Sequence, residues 1–349
     1  MNKPFNKMGN GEIAFADKFC PYYNCFVTDD VNYFKAETEF DAILFGAEVV
    51  RLTNNLLPEQ RLPYQKYVFV SMGSAQENTV CTEKFDSYFN WTWTYRLDSE
   101  IKSGLVVRDL NETIVAPKNE VHWIPTQRKY TLPRDLSDII ENKTKAAAWI
   151  VSDCNTYSYR EKIALSLREE LKRHLLTLDI YGKCGEFRCE SETSCDKTIE
   201  RDYYFYLAFE DSLCKDYVTT ELLHALRYNA VPIVYGGANY TRCATCSSRH
   251  KKQPNCRILP PDSYLDASKM SVPKLAGIMN RLIRVRKDSY AQYFWWKRHY
   301  SYYKTSESVD TDEYCELCRL LNSNKFTEKS IYTNFKEWWN HPDEICLSW

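Results

Sequence analysis

The sequence predicts an α/β protein in which parallel strands alternate with helices. The stretch from Tyr203 to Tyr240 contains a strand-like aromatic run, a polar turn, a helix-patterned segment and a second strand that stops at Gly236-Gly237. An earlier stretch, from Ala146 to Tyr181, has the same order of strand, helix and strand. Such alternation forms parallel sheets, whose ligands bind at the carboxyl ends of the strands. With 349 residues the chain is too long for one small core, so we expect two domains.

The composition is that of a folded protein without a polyanionic partner. Hydrophobic residues make up 44% and aromatic residues 15% of the chain, enough to fill a substantial interior and to exclude a largely disordered protein. Lys and Arg total 46 against 47 Asp and Glu, which gives a net charge of -1. A nucleic-acid partner requires a basic surface, and nothing in the sequence supports one.

The cysteine and asparagine patterns favour an oxidising compartment. The chain has 14 cysteines and four N-glycosylation sequons, at Asn90, Asn111, Asn142 and Asn239. No apolar run approaches the ~20 residues that span a bilayer, and Met1–Cys20 lacks a signal-like core. We therefore expect a lumenal protein whose N-terminal membrane anchor belongs to a longer form and is absent from this chain. The alternative is a cytosolic protein with chance sequons.

The first domain is predicted to span residues 20–145. Phe40–Phe45 and Lys66–Val70 are short apolar runs typical of buried strands, and Glu48–Leu57 between them predicts a short helix. Polar, proline-bearing sequence from Asn111 to Lys145 marks the boundary between the two domains.

The second domain is predicted to span residues 146–304. It begins with a strand at Ala146–Val151, continues through the polar loop Ser152–Ser158 and enters a helix at Tyr159–Leu175, along which apolar residues recur every four positions. The further predicted elements are a strand at Leu178–Tyr181, the Tyr203–Tyr240 unit, and helices at Val272–Lys287 and Asp288–Tyr303.

Two motifs resemble those of a known family. Tyr203–Tyr240 reads YYFYLAFEDSLCKDYVTTELLHALRYNAVPIVYGGANY and closely resembles the α1,3/4-fucosyltransferase signature, in which FYLAFENS-CKDYVTEKL runs into VPIVYGGANY. Tyr88–Ser99 reads YFNWTWTYRLDS and is similar to FNWTMTYRRDSD of the same family. The resemblance extends from about Cys20 to the carboxyl terminus and is nearest to the invertebrate core α1,3-fucosyltransferases of glycosyltransferase family 10.

The resemblance implies a GT-B fold, which is α/β with two Rossmann-like domains and a cleft between them. Residues 20–145 then form the acceptor side, and residues 146–304 form the side that binds the donor, GDP-fucose. The closing segment, residues 305–349, is implied to be helical and to return to the first domain. Cys315 and Cys318 within it are expected to form structural disulfides.

A nucleotide-sugar donor brings a diphosphate, which needs cations or oriented N–H groups as it leaves. The loop Ser152–Tyr159 leads into a helix whose amino end favours an anion, and Arg160 in its first turn can add a bidentate phosphate contact. Lys183 lies on the glycine-flanked turn YGKCG. The alternatives are an ordinary solvated helix charge for Arg160 and a surface charge for Lys183. Seven donor contacts are implied in all: Arg160, Lys183, Tyr206, Glu210, Asp211, Tyr217 and Glu221.

Two departures from the family pattern bear on the donor. Asp211 stands where relatives have asparagine, which removes an amide donor and adds a negative charge beside the diphosphate. The VTEK motif reads Val218-Thr219-Thr220-Glu221-Leu222, in a segment one residue shorter than usual. Either Thr220 replaces the glutamate and Glu221 the lysine, or Glu221 keeps its role and the lysine is lost. A cation is missing in both alignments.

The expected general base is also missing. An inverting sugar transfer needs a carboxylate that takes the proton of the acceptor hydroxyl. Seventeen residues before Asn90, where relatives place a glutamate, this chain has Gly73. The nearest carboxylate is Glu77, four residues further on, which is the candidate for a displaced base. Asp98 and Glu100 are further candidates.

Two sequences imitate metal sites. Asp310-Thr-Asp312 resembles a DxD manganese motif but lies in a charged run outside the sheet, so we expect a solvated loop. Cys243-x2-Cys246-x3-His250-x5-Cys256 approaches a zinc knuckle but misses its later spacings. A disulfide or an unstructured insertion at Cys243–Arg257 is therefore favoured over zinc. We expect no metal or other cofactor.

The sequence thus predicts an α1,3-fucosyltransferase-like enzyme that transfers L-fucose from GDP-β-L-fucose to N-acetylglucosamine of a glycoprotein N-glycan, with inversion. The resemblance implies a place in the Golgi lumen, with type II membrane anchoring in a full-length form. The main alternative is a catalytically silent relative that binds donor, glycan or a partner without turnover, because Gly73 and the missing lysine both remove chemistry. Another nucleotide-sugar transferase of the same fold is a third alternative.

Overall fold

The computed structural model describes residues 9–52, 57–58, 60–118, 121–125, 131–189, 191–240, 258–285 and 287–340. These residues pack into two compact units. Unit 1 runs up to Gly104 and resumes at Lys304, and unit 2 spans Leu105–Tyr303. The break at Gly104 falls upstream of the boundary predicted at residue 145, and the functional domain ranges 20–145, 146–304 and 305–349 stay a prediction.

Strands and helices alternate through the middle of the chain, from residue 134 to residue 235. The strands are β1 Ala42–Gly46, β2 Lys66–Ser71, β3 Trp91–Thr94, β4 Ile101–Lys102, β5 Leu105–Asp109, β6 Ile114–Ala116, β7 Lys145–Ile150, β8 Leu178–Tyr181, β9 Tyr203–Phe209, β10 Val231–Tyr235, β11 Leu265–Asp266 and β12 Tyr300–Lys304. The helices are α1 Ile13–Ala16, α2 Ala47–Leu52, α3 Arg134–Glu141, α4 Arg160–Arg173, α5 Glu192–Asp202, α6 Glu221–Arg227, α7 Val272–Arg284, α8 Lys287–Ala291, α9 Glu313–Leu321 and α10 Phe335–Trp339.

Unit 1 is built on a parallel sheet in the order β1-β2-β3-β4. Every residue of β2 is buried, and this strand pairs with β1 on one side and β3 on the other. Phe69 of β2 packs edge-on against Phe335 and Trp339, so α10 covers part of this sheet. The disulfides Cys20–Cys315 and Cys25–Cys318 fasten the amino-terminal segment to α9, which confirms the structural role expected of this cysteine pair.

Unit 2 is built on a five-stranded parallel sheet in the order β11-β10-β9-β7-β8. The chain starts in β7, adds β8 on one side, and then crosses to β9 and continues outward on the other side. The order reverses between β7 and β9, and open parallel sheets bind their ligands beyond the carboxyl ends of strands at such a switch point. Two α/β units, each with its own parallel sheet, confirm the predicted pair of Rossmann-like domains.

Most predicted elements of the two sheets are confirmed. Strands β1, β2 and β7 to β10 and helix α4 lie within two residues of the predicted bounds. These strands were predictable because buried parallel strands are continuous apolar runs, and all seven residues of β9 are buried. Helix α2 ends at Leu52, and the rest of the helix predicted to reach Leu57 lies largely outside the described residues.

The helix predicted at Asp288–Tyr303 is confirmed in part and is wrong beyond Arg298. Helix α8 ends at Ala291, a 3-10 helix follows at Gln292–Arg298, and the chain then enters β12. This strand joins β5 and β6 in a separate three-stranded sheet. Tyr300 and Tyr302 are buried while Ser301 between them is exposed, which is the alternation of a strand, and tyrosine is enriched in strands.

Candidate active site

Four loops of unit 2 lie at the carboxyl edge of its sheet, because the strands that they follow are parallel. The loops begin at Val151, Gly182, Glu210 and Gly236. Two of them are joined across the switch point through Ser158. Its hydroxyl donates to the main-chain oxygen of Glu210 (2.7 Å), and its N–H donates to the main-chain oxygen of Asp211 (2.9 Å). The loops after β7 and β9 are therefore held side by side where a ligand is expected.

Arg160, the first residue of α4, is only 7% exposed. The preceding residue, Tyr159, adopts the left-handed conformation (φ 53°) and gives the helix no side-chain cap. One terminal nitrogen of Arg160 donates to the main-chain oxygen of Phe209 (2.5 Å), and the guanidinium lies 5.8 Å from the ring centre of Trp149. Its Nε–H is buried without a hydrogen-bond partner. This burial excludes an ordinary solvated helix charge, and the unpaired N–H leaves a donor for a bound anion.

Lys183 lies on a turn that is held close to the loop after β7. The neighbouring Cys184 forms a disulfide with Cys154 in that loop. Gly182 has a φ of 89°, and a Cβ built there would lie 2.4 Å from the main-chain oxygen of Val151. The side chain of Lys183 is exposed and has no polar partner among the described residues. This position is compatible with either expected role, a phosphate contact or a surface charge.

Glu210 and Tyr240 bring two unpaired polar atoms together beside this edge. Glu210 is buried, its Oε1 accepts the N–H of Thr219 (3.0 Å), and its Oε2 has no hydrogen-bond partner. Burial raises the pKa of Glu210 to about 8, so this carboxyl group is largely neutral at pH 7. The hydroxyl of Tyr240 is also buried and unpaired. A Cβ built on Gly236 would lie 2.6 Å from that hydroxyl and 3.0 Å from Cγ of Glu210, so glycine allows both groups to approach.

Tyr206 and Glu221 are paired with each other. Tyr206 lies within β9, three residues before its carboxyl end, and is fully buried. Its hydroxyl donates to Oε2 of Glu221 (2.9 Å), the first residue of α6. Burial, with the charge of Glu221, raises the pKa of Tyr206 well above its ordinary value. Glu221 therefore serves as an acceptor for a buried hydroxyl, whichever of the two motif alignments applies.

Asp211 and Tyr217 lie in the loop between β9 and α6. Asp211 is partly buried, and its main-chain oxygen holds Ser158 as described. Tyr217 is buried. Six of the seven predicted donor residues are thus in or next to the loops at the carboxyl edge, whereas Tyr206 lies inside the sheet and its hydroxyl donates to Glu221 of α6.

A partly buried pair of histidine and aspartate side chains beside these residues was not predicted from the sequence. His224 follows Glu221 by one turn on α6, and its Nδ1 lies 2.5 Å from Oδ1 of Asp196 on α5. The His224 ring centre is 5.5 Å from that of Tyr206. The available signal was the spacing, since residues three apart share one face of a helix. Its partner could not be named, because α5 was not predicted.

The position of the missing base lies in unit 1, in the turn after β2. A Cβ built on Gly73 would lie 2.5 Å from Oε2 of Glu77 and 2.7 Å from Nδ2 of Asn78. The exposed side chain of Glu77 therefore brings its carboxylate to the point where a side chain at position 73 would begin. Glu77 follows Gly73 by four residues in the sequence, yet its carboxylate lies next to Gly73 in the structure.

Asp98 and Glu100, the other candidate bases, are engaged within unit 1. Asp98 accepts two hydrogen bonds from the guanidinium of Arg96, both of 3.0 Å. Glu100 accepts the N–H of Thr92 (2.8 Å) and the hydroxyl of Tyr332 (3.0 Å). Either carboxylate would have to give up these bonds to take a proton from a substrate.

The sequences that imitate metal sites are structural or undescribed. Asp312 is buried, accepts the N–H of Tyr314 (2.9 Å) as the cap of α9, and pairs with Lys18 (2.6 Å). The expectation of a solvated loop is therefore wrong for Asp312, because the free N–H groups at a helix start need an acceptor. The zinc-like sequence at Cys243–Cys256 lies outside the described residues. Within the described ranges, no group of three or more His, Cys, Asp or Glu could hold a metal ion.

The sequons differ in their exposure. Asn111, Asn142 and Asn239 are exposed. Asn90 is 9% exposed, its Oδ1 accepts the N–H of Tyr67 (2.8 Å), and its Nδ2 donates to the main-chain oxygen of Ser330 (2.8 Å). Because both the oxygen and the nitrogen of the Asn90 amide are hydrogen-bonded, the structure conflicts with the predicted glycan at this position.

Among the helices of the described segments, none is both long and apolar enough to cross a lipid bilayer.

Two family models together match most of the chain. The model described as "Fucosyltransferase, N-terminal" matches residues 2–105. The model described as "Glycosyltransferase family 10 (fucosyltransferase) C-term" matches residues 140–338, which include the edge described above.

Individual relatives agree with these matches. The α-(1,3)-fucosyltransferase C of Drosophila melanogaster is 36% identical over 328 residues, which cover 92% of this chain and 70% of that protein. The glycoprotein 3-α-L-fucosyltransferase A of the same species is 32% identical over 271 residues, which cover 76% of this chain and 46% of that protein. A crystal structure of an α1,3-fucosyltransferase with GDP matches 86% of this chain and 82% of its own at 12% identity, with a TM-score of 0.45. From the two family models and the relative with 36% identity, the chain belongs to glycosyltransferase family 10, the fucosyltransferases.

Proposed function

We propose that this protein is an α1,3-fucosyltransferase that transfers L-fucose from GDP-β-L-fucose to a hydroxyl of N-acetylglucosamine on a glycoprotein N-glycan, with inversion. The names of the two Drosophila relatives support the linkage, and the second also supports a glycoprotein acceptor. The observation that carries the proposal is the environment of Arg160. It is a buried guanidinium at the switch point of a parallel sheet, and its Nε–H is unpaired.

The charges at this edge suit the diphosphate of the donor. Arg160 presents a planar fork of N–H groups, and the amino end of α4, where Tyr159 provides no side-chain cap, adds the positive end of the helix dipole. Lys183 supplies a second cation from the neighbouring turn. Because Glu210 is largely neutral at pH 7, it adds little competing charge. These groups stabilise the negative charge that develops on GDP as it leaves.

The remaining candidate residues have supporting roles in this proposal. Asp211 and Tyr217, in the loop after β9, contact the nucleotide or the fucose. Tyr206 and Glu221 act as a pair beneath that loop, since their hydrogen bond joins β9 to the start of α6. The negative charge of Asp211 weakens donor binding relative to the asparagine of relatives.

Glu77 is the proposed general base. Its carboxylate takes the proton of the acceptor hydroxyl while that oxygen forms a bond to C1 of fucose. The bond between C1 and the β-phosphate oxygen breaks at the same time, and its electron pair leaves with GDP. The proximity of the Glu77 carboxylate to Gly73 supports this role, because it places a carboxylate next to the position where relatives have their glutamate.

The proposal extends to the compartment and the metal requirement. The Golgi lumen, with type II membrane anchoring in a full-length form, is supported by disulfides such as Cys20–Cys315 and Cys154–Cys184, which form in oxidising compartments. Transfer is proposed to be independent of metal, because Arg160 and Lys183 supply positive charge to the diphosphate. Activity should therefore survive EDTA. Loss of activity in EDTA that manganese restores would contradict this point.

A mass-spectrometric transfer assay with GDP-fucose and a trimmed N-glycan tests the function. The expected product carries one additional fucose, and linkage analysis should place it at the 3-hydroxyl of N-acetylglucosamine. Arg160→Gln should raise KM for GDP-fucose, and Glu77→Gln should lower kcat. Arg173→Gln, exposed at the end of the same helix, and Glu83→Gln, an exposed carboxylate of unit 1, are the matched controls.

The second candidate function is a catalytically silent relative that binds donor, glycan or a partner. Gly73 and the absence of a cation from Val218–Leu222 favour it. It predicts binding of GDP or glycan without transfer to any N-glycan acceptor. Stronger thermal stabilisation by UDP than by GDP would instead indicate another nucleotide-sugar transferase of the same fold.

A further inference from the structure

We infer that the disulfide Cys154–Cys184 is a positioning device for the donor, because it holds Lys183 as a preformed diphosphate contact beside the loop after β7. The inference rests on the proposed function, since the ligand that it names is the diphosphate of a nucleotide. It adds that the affinity for this ligand depends on the oxidation state of one cysteine pair.

The disulfide joins two of the four loops at the carboxyl edge. Cys154 lies in the loop between β7 and α4, Cys184 lies in the turn after β8, and their Cα atoms are 5.4 Å apart. β7 and β8 are neighbouring parallel strands, and the N–H of Val151 extends their pairing by donating to the main-chain oxygen of Tyr181 (2.9 Å). The covalent link therefore continues a backbone pairing beyond the ends of the two strands.

The turn that carries Lys183 is closed by tight backbone contacts. Gly182 is in the left-handed region, and its absent side chain allows the close approach to Val151 described above. A Cβ built on Gly185 would lie 1.9 Å from a main-chain oxygen of β8. Arg188 donates to the main-chain oxygens of both glycines. These contacts restrain the backbone at Lys183 before any ligand binds, so that binding has only the side chain to order.

The charges around the turn leave Lys183 available to an anion. Its side chain has no hydrogen bond or ion pair among the described residues. The nearby carboxylates have other partners, since Glu186 pairs with Arg168 (2.8 Å) and Asp153 accepts a main-chain N–H two residues on (3.4 Å). At the end of the Cys154 loop, Arg160 has a buried Nε–H without a partner. Two cations with unused donors on adjacent segments suit the two phosphates of a nucleoside diphosphate.

A double-mutant cycle with GDP as the probe tests the inference. The Kd of GDP is measured by calorimetry for the wild type, Lys183→Gln, Cys154→Ser/Cys184→Ser and the triple variant. Lys183→Gln is expected to weaken binding roughly five-fold, the size of one exposed charged contact. The double cysteine variant should weaken it by at least as much. The triple variant should bind no more weakly than the double cysteine variant, because Lys183 is then no longer positioned.

A second disulfide of the same unit provides the matched control. Cys189→Ser/Cys195→Ser removes a bond at the start of α5, and the Kd of GDP should stay unchanged. Thermal unfolding checks that each variant is folded. Where the double Cys154 and Cys184 variant does not fold, Gly182→Ala provides an independent displacement of the turn, with the disulfide intact.

The possible outcomes separate this inference from the proposed function. Binding of GDP by the wild type, together with independent effects of the lysine and cysteine changes, would overturn the positioning role and leave the function standing. An unchanged Kd in the double cysteine variant would do the same. A wild-type protein that does not bind GDP would overturn both. In a transfer assay, loss of the disulfide should raise KM for GDP-fucose more than it lowers kcat.

Discussion

The carboxylate of Glu77 lies against Gly73, because a Cβ built on that glycine would be 2.5 Å from Oε2 of Glu77. The turn after β2 brings the two residues together, and the N–H of Glu77 donates to Oγ of Ser74 (3.1 Å) within this turn. The missing side chain at position 73 thus makes room for the carboxylate of residue 77. A larger side chain at position 73 would therefore clash with the Glu77 carboxylate where it now lies.

Returning the carboxylate to position 73 should preserve transfer. In Gly73→Glu/Glu77→Gly the new side chain meets no carboxylate at position 77, and we expect kcat within about ten-fold of wild type. Glu77→Gln alone removes the base and should lower kcat by about 100- to 10,000-fold. The measurement is kcat with an N-glycan acceptor, with Glu83→Gln as the control. An equal loss in the exchange variant and in Glu77→Gln would contradict a shared position for the base.

Arg160→Lys should weaken GDP binding although it retains the charge. Lysine lacks the planar fork and the Nε–H that is unpaired in the structure, so we expect the Kd of GDP to rise about ten-fold or more. Arg173→Lys on the same helix should leave the Kd unchanged, because that side chain pairs with Glu170 at the surface. Calorimetry gives both values. Equal affinity of wild type and Arg160→Lys would remove Arg160 from the donor site.

The sheet and its functional edge could be predicted because their signals are local. Buried parallel strands are apolar runs that end in polar or glycine-rich loops, and Tyr203–Phe209 and Val231–Tyr235 have this pattern. Once such strands are recognised, the edge at which their loops gather follows from the parallel arrangement. The local pattern also led to a wrong prediction around Tyr300, because the aromatic residues there suit either a helix or a strand.

The details of the site could not be predicted because they depend on contacts between distant segments. Arg160 is charged and opens a helix, which usually means exposure to solvent, and its burial results from Trp149 and Phe209 on two strands. The proximity of Glu77 to Gly73 depends on the backbone of one turn. The pairing of Asp312 with a helix start likewise requires the position of α9, which spacing alone does not give.

Glycans are expected at the exposed sequons and not at Asn90. In protein from a secretory host, glycopeptide mass spectrometry should find occupancy at Asn111, Asn142 or Asn239. Asn90→Ala should lower the free energy of unfolding by about 2 kcal/mol, because it leaves the buried N–H of Tyr67 without its acceptor. Asn111→Ala, at an exposed turn, should change it by less than about 0.5 kcal/mol. A glycan on Asn90 of the folded protein would require this segment to be arranged differently.

Glu210 should make both the free energy of unfolding and the affinity for GDP depend on pH. Its pKa is about 8 in the fold against 4.5 for an ordinary glutamate, so the folded state binds more protons between these values. The stabilisation is therefore fully present below pH 4.5 and is lost as the pH rises through about 8, at no more than about 1.4 kcal/mol per pH unit.

Glu210→Gln keeps an acceptor for the N–H of Thr219 but does not titrate. The difference in unfolding free energy, wild type minus variant, should fall between pH 6 and about pH 8 in urea melts and level off above this pKa. Lys143, with a pKa lowered to about 7 by burial, has the opposite sign but is common to both proteins and cancels. GDP affinity should decline in the wild type alone as the pH rises through about 8, because ionised Glu210 then repels the diphosphate. A difference that does not vary with pH would mean that Glu210 does not ionise within this range.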